Sequence, residues 1–188
     1  MATSSFNIND FTSRMLTGGA LLSLFQCTIS ANGKASKGKL SDFQFMCKGV
    51  GFPASTIDVT PVTYMGRAVN VPGNRAVAQV TTSIYNDEDH AIRNYIEQWM
   101  ERINSHQSNK RDGSFLKMMG SASYTAEMEV QQLKKDGTGK SKVYNFHNVW
   151  PSTCPEIPMS WDTNDIQTFD VIWEYNYWSS PESDAGMS

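Results

Sequence analysis

Ile166-Gln167-Thr168-Phe169-Asp170-Val171-Ile172-Trp173-Glu174-Tyr175-Asn176-Tyr177-Trp178 is the stretch that decides the fold class. Phe169, Val171, Trp173, Tyr175 and Tyr177 fall on one side of an extended chain. Thr168, Asp170, Glu174 and Asn176 fall on the other, with Ile172 the exception. A period of two, built from aromatic and β-branched residues, marks a strand with one buried face. Core packing accounts for the aromatic row. A base-stacking platform for single-stranded nucleic acid would need interleaved Arg and Lys, which this run lacks.

The same period recurs toward the N-terminus. Lys142 to Trp150 reads as a strand, joined through the turn Lys135-Asp136-Gly137-Thr138-Gly139-Lys140 to another at Tyr124 to Leu133. There Tyr124, Ala126, Met128 and Val130 alternate with Thr125, Glu127, Glu129 and Gln131. Ala76 to Tyr85 places Ala78, Val80, Thr82 and Ile84 on one face. Thr56 to Tyr64 and Arg67 to Val71 read as extended, with Pro72-Gly73-Asn74 as a turn, because proline presets φ and glycine accepts positive φ. Ser41 to Lys48 sets Phe43, Phe45 and Cys47 against Asp42, Gln44, Met46 and Lys48, a further strand pattern. Ala20 to Ala31 also reads as extended, and the lysine-bearing stretch around 31–41 reads as a flexible loop.

One segment breaks the period. Ile92, Tyr95, Ile96, Trp99, Met100 and Ile103 recur at steps of three and four, which predicts one long helix over about 87 to 104. Ile92, Ile96, Trp99 and Ile103 are its expected core residues. Asn86 or Asp87 is suited to cap it, and Asp87, Glu88 and Asp89 bring negative charge to the positive end of its dipole. The fold class is therefore mainly β with one long helix (α+β). Residues 1–19 read as an N-terminal arm, 20–178 as the folded domain and 179–188 as a mobile C-terminal tail.

The bulk composition narrows function. A length of 188 residues, with 39% hydrophobic and 19% charged, suits one soluble domain with a real core. Ala20 to Phe25 is far shorter than the ~20 apolar residues of a membrane span, so no membrane anchoring is expected. The polar, acidic opening Met1 to Asp10 predicts no secretory leader. A net charge of −3 and a pI of about 5.6 argue against a protein dedicated to gripping DNA or anionic lipid. Cys27, Cys47 and Cys154 are odd in number and widely spaced, which suits reduced, buried thiols. Neither they nor His90, His106 and His147 have zinc-ligand spacing. Glu127 and Glu129 share a strand face, as paired glycosidase carboxylates could, but a solvated strand explains them. No phosphate loop or nucleophile elbow is present, so neither a cofactor nor an enzymatic activity is expected.

Several stretches go beyond composition. They are Phe25 to Ser30, Phe45 to Lys48, Pro61 to Arg75, Asn86-Asp87-Glu88, Trp150-Pro151-Ser152, Trp161-Asp162, and Ile166 to Val171 (with Gln167, Thr168 and Phe169) running on to Trp178. In this order they resemble the tail tube proteins of T-even-type contractile-tailed bacteriophages. The resemblance covers about residues 20 to 178 and departs at the lysine-bearing loop 31–41 and at both ends. It implies a β-barrel or β-sandwich with a flanking helix. It further implies hexameric rings, stacked into the inner tail tube that conducts phage DNA into the host.

The partners so implied are further copies of the chain, a tail sheath protein, baseplate and tail terminator proteins, and a tape-measure protein. DNA would occupy the lumen without sequence-specific binding. The implied location is the virion, after assembly in the host cytoplasm. A tube subunit of a contractile secretion or bacteriocin-like injection machine is the alternative. A conduit must let DNA slide, so acidic strand faces are expected to line it, with Asp58, Glu127, Glu129, Asp170 and Glu174 as candidates. The hairpin bearing Pro61, Tyr64, Met65, Arg67 and Arg75 is the expected inter-subunit or inter-ring contact.

Overall fold

The computed structural model describes residues 8–16, 18–31, 40–113, 124–137 and 139–181. The lysines at 34, 37 and 39 and the tail beyond 181 lie outside them. Helix α1 spans Ile8–Arg14, followed by β1 Phe25–Ala31, a 3-10 turn Leu40–Asp42 and the short helix α2 Phe43–Met46. Strands β2 Cys47–Val50, β3 Ser55–Tyr64, β4 Arg67–Val77 and β5 Val80–Tyr85 lead to helix α3 Ala91–Ile103. The chain ends in β6 Ala126–Leu133, β7 Lys140–Thr153, β8 Thr168–Glu174 and β9 Tyr177–Ser179.

All the strands but β3 and β4 form one seven-stranded sheet in the order β1-β6-β7-β8-β5-β2, with β9 added beside β7 and every pairing antiparallel. Strand β7 serves two neighbourhoods. Its first half pairs with β6 and β9, its second half with β8. Asn148, at φ +59, sits where the register shifts, and this left-handed residue turns the strand from one neighbourhood into the other.

One face of the sheet is apolar. Cys27 and Ile29 of β1, Met128 and Val130 of β6, Phe146 and Val149 of β7, Val171 and Trp173 of β8, and Val80 and Ile84 of β5 are all buried. Helix α3 lies on this face. Its stripe buries Ile92, Ile96 and Trp99 and packs Tyr95, Met100 and Ile103 at the margin. Trp99 meets Trp173 at 5.9 Å, and Phe43 meets Trp173 edge-on at 6.3 Å. The indole N–H of Trp99 donates to the Tyr124 carbonyl (2.7 Å), and that of Trp173 to the Thr82 hydroxyl (2.8 Å), so neither buried donor is left unmet.

Five sequence expectations need correction. The stretch Ser41 to Lys48 is not a strand: Leu40 to Met46 is helical and only Cys47 onward is extended. A spacing of four is both an even strand step and about one helical turn, so Phe43 and Cys47 are buried together either way. Phe45 discriminates, because it is 76% exposed. Second, Pro72-Gly73-Asn74 is no turn but part of β4. There the register jumps from Ile57↔Arg75 to Val59↔Pro72, leaving Gly73 and Asn74 opposite Asp58.

The glycine serves close approach, since a Cβ at Gly73 would stand 2.9 Å from the Thr60 hydroxyl and 3.0 Å from the Asp58 carbonyl. Third, the long helix begins at Ala91 rather than 87, because His90 adopts φ +50 and ends helical geometry there. It is 13 residues long and is joined by α1 within the stretch read as an arm. Fourth, Ala76 to Tyr85 is split, with Ala78 and Gln79 between two strands and Ala78 exposed. Fifth, the run Ile166 to Trp178 breaks at Tyr175-Asn176, and Tyr177 points to solvent.

Candidate functional site: a projecting hairpin and a polar sheet face

Strands β3 and β4 form a separate two-stranded sheet. Met65 (φ +46) and Gly66 (φ +78) make its two-residue turn, the left-handed pair that suits the twist of a tight hairpin. Every residue of β3 is exposed, and so is every residue of β4 except Gly73. Ile57, Val59, Val62, Tyr64, Val69 and Val71 are thus uncovered, and Met65 at the tip is 88% exposed. A two-stranded ribbon is at best marginally stable in water, and this one leaves apolar side chains open on both faces. The five hairpin residues marked by the sequence come together here: Pro61, Tyr64, Arg67 and Arg75 on the arms, Met65 at the turn.

The sheet face turned away from the core is polar. Glu127 and Glu129 alternate with buried Met128 and Val130 on β6, and Asp170 and Glu174 flank buried Val171 and Trp173 on β8. Four of the five marked carboxylates therefore share this side. Asp58 stands apart on the hairpin. They are not bare charges: Lys140 pairs with Glu129 at 2.6 Å, Ser83 donates to Asp170, and Gln79 donates to Glu174. Along the same face Gln131 donates to Gln26 (2.9 Å) and Gln26 to Gln44 (2.7 Å), a run of neutral amides across β6, β1 and α2.

His147 of β7 joins three strands. Its Nδ1 lies 2.7 Å from the Glu127 carboxylate, its Nε2 lies 2.8 Å from the Ser179 hydroxyl, and its ring stacks on Tyr177 at 4.5 Å. The hydroxyl sits within the β9 ladder rather than on a sharp exposed turn, so the triplet clasps β6, β7 and β9. The sequence reading missed it. Equal steps outward from the pair Gln132↔Lys142 set Glu127 opposite His147, so the hairpin register carried the signal.

Asn86, Asp87, Glu88, Gln167, Thr168 and Phe169 gather at the end of β5 where Tyr85 faces Thr168, whereas Trp150 and Pro151 lie toward its Val80 end. The Asn86 backbone N–H donates to the Gln167 carbonyl (3.0 Å), and its side-chain amide donates to the Gln167 side chain (2.9 Å). Asp87 accepts from the Ala91 N–H (2.9 Å), capping α3 from outside the helix, while Glu88 is exposed. Phe169 is buried with the Arg93 guanidinium over its ring. Trp150 is half-buried opposite Glu174, and Pro151 is buried opposite Trp173. Trp161 and Asp162 lie in the loop between β7 and β8, and Trp161 is fully exposed.

The other titratable side chains are scattered. Cys27 and Cys47 contact each other inside the core, and the hydrogen bond between them, with burial, pushes the Cys27 thiol well up. Burial also raises Cys154. His90 precedes α3 and His106 follows it.

The comparisons with known proteins agree with this anatomy. The tail tube proteins of Enterobacteria phages T4 and T6 are 32% and 31% identical over 156 residues, covering 82% of this chain and 88% of each relative. Among solved structures, the sheath-tube complex of an extracellular contractile injection system aligns with a TM-score of 0.57 at 12% identity, over 94% of this chain and 98% of its own. The tube-terminating cap of the anti-feeding prophage aligns with a TM-score of 0.61 at 13% identity, over 96% and 98%. The baseplate of the same particle, solved with six-fold symmetry, reaches 0.63 at 8% identity, over 86% and 95%. These TM-scores establish a shared fold. The family is established by sequence: residues 4–180 match the phage tail tube proteins, and this chain belongs to that family of structural virion components.

Proposed function

We propose that copies of this chain close into hexameric rings that stack into the inner tube of a contractile phage tail, the conduit for DNA into the host. The observation that carries the reading is the β3–β4 hairpin, apolar and uncovered on both faces in the single chain. A neighbouring copy, in the same ring or the next, supplies the surface the hairpin lacks, through Pro61, Tyr64, Met65, Arg67 and Arg75. The curled sheet gives each subunit a barrel-like wall, since β1 and β2, the ends of the strand order, approach each other beside α2. Residues 20–178 form this body, and the β9 ladder extends it to Ser179.

The polar sheet face supplies the lumen. Each Lys or Arg that neutralises a phosphate releases a counterion, with a log–log salt slope of ~0.9 per contact, so a basic tube would hold the genome in place. Glu127, Glu129, Asp170 and Glu174 keep this face free of net positive charge, and Asp58, the fifth candidate, lies apart from it on the hairpin. A sheath surrounds the tube, as in the sheath-tube neighbour. Baseplate, terminator and tape-measure proteins complete the set of partners, and assembly takes place in the host cytoplasm. The fold neighbours from injection systems favour one second reading, a tube subunit of such a machine.

Hydrogen exchange tests the proposal. Amides of 55–77 should exchange rapidly in the free chain and slowly in assembled tubes. Equal exchange in both states would remove the hairpin from the contact.

A further inference from the structure

We propose that the loop 154–167, together with the adjoining turn 86–89, is the surface that receives the β3–β4 hairpin of the next copy, making the contact head-to-tail. The inference rests on the tube-subunit reading and adds its missing half, the receptor.

Register places the two surfaces at opposite ends of one chain. Strand β5 runs from Val80, paired with Trp173, to Tyr85, paired with Thr168. Strand β2 runs antiparallel to it, from Cys47 opposite Ile84 to Val50 opposite Thr82. Both arms of the hairpin therefore leave at the Val80 end: β3 begins shortly after Val50, and β4 ends at Val77. Loop 154–167 connects Thr153 to Thr168 and so emerges at the Tyr85 end. It is held there by the two Asn86–Gln167 hydrogen bonds and by Arg93, which donates to the Pro155 carbonyl at 3.2 Å. A contact between unlike surfaces on opposite ends propagates from copy to copy, as a stack requires. With ten residues in β3, the ribbon reaches ~30 Å at ~3.3 Å per residue, enough to cross to a neighbour.

The chemistry of the two ends matches. The loop exposes Met159, Trp161 (105%) and Ile166, apolar side chains to set against Val59, Tyr64 and Met65 of the hairpin. The loop carries Glu156, Asp162 and Asp165 with no Lys or Arg, and the turn beside it adds Asp87, Glu88 and Asp89. The hairpin carries Arg67 and Arg75 against Asp58 alone. An acidic rim around an exposed tryptophan fits a basic, apolar ribbon, and such complementarity fixes partner and register.

Charge exchange in the full chain, with assembly on baseplates read by sedimentation and electron microscopy, tests this. The paired substitution Arg67→Glu with Arg75→Glu should reduce tube yield by about tenfold or more, as should Asp162→Lys with Asp165→Lys. All four together should recover a clear part of the lost yield, because the exchanged residues are complementary again. Unaltered melting of the variants would place the effect in assembly. Normal assembly of the arginine pair would overturn the hairpin contact itself. Loss with the arginine pair but normal assembly of the aspartate pair, or no rescue by the fourfold variant, would overturn only the receptor.

A second measurement is independent of the charges. In a chain bearing Met65→Cys and Trp161→Cys, a short bis-maleimide should yield a ladder of oligomers from tubes. Absence of a ladder, or crosslinks from 161 to sheath alone, would overturn the inference.

Discussion

Trp99 carries much of the contact between helix and sheet. It is 2% exposed, lies against Trp173 and donates to the Tyr124 carbonyl. Trp99→Ala should cost ~3–5 kcal/mol in a reversible melt through the cavity it leaves, and a cost under ~1 kcal/mol would mean the site refills. Tyr95, one turn earlier, behaves differently. Its hydroxyl is buried without a hydrogen-bond partner among the described residues, and burial pushes its pKa from 10.0 up to about 12. Above pH 10 the unfolded chain releases this proton while the folded chain keeps it, so stability falls as pH rises from 10 toward 12. Tyr95→Phe should flatten that alkaline limb in pH-dependent unfolding, and it should be neutral or slightly stabilising at pH 7. Burial raises Tyr175 as well, so part of the limb should survive.

The hairpin is where the sequence was most and least legible. Both arms read as extended runs rich in β-branched residues, the second stopping short at Val71 where β4 continues to Val77. Its turn was misplaced, because Pro-Gly-Asn fits both a tight turn and a bulged strand. The true turn at Met65-Gly66 has one glycine and a methionine in left-handed geometry, which propensity disfavours. Gly66→Val should destabilise this ribbon by ~1–2 kcal/mol through its φ of +78, since no atom crowds the new side chain. Faster exchange across 55–77, with the core melt unchanged, would be the readout. The α3 stripe was legible for the opposite reason, since six apolar residues at helical spacing have no alternative period. Its start was not, because an acidic run before a helix caps equally well from one position or several.

For the whole molecule, strand alternation separated a core face from a polar face, while neither pairing order nor the β7 bend could be read locally. The carboxylates marked by composition fall together only because β6 and β8 flank the same long strand. If that face lines the tube, Glu127→Lys with Asp170→Lys should give up the Glu127–His147 contact but leave the buried core folded, and convert tubes that ignore DNA into tubes that retain it. The retention should weaken as salt rises, by ~0.9 log units per log unit of salt for each phosphate the new lysines neutralise. Salt-independent behaviour would place the face on the exterior.

Strand β7 gives the molecule another property. Because it places Phe146 in one neighbourhood and Pro151 in the other, with Asn148 as the pivot, the two parts of the sheet are joined through a single continuous strand. A pull on one neighbourhood is passed through the backbone of β7 to the other, leaving the separate β3–β4 ribbon as the compliant member.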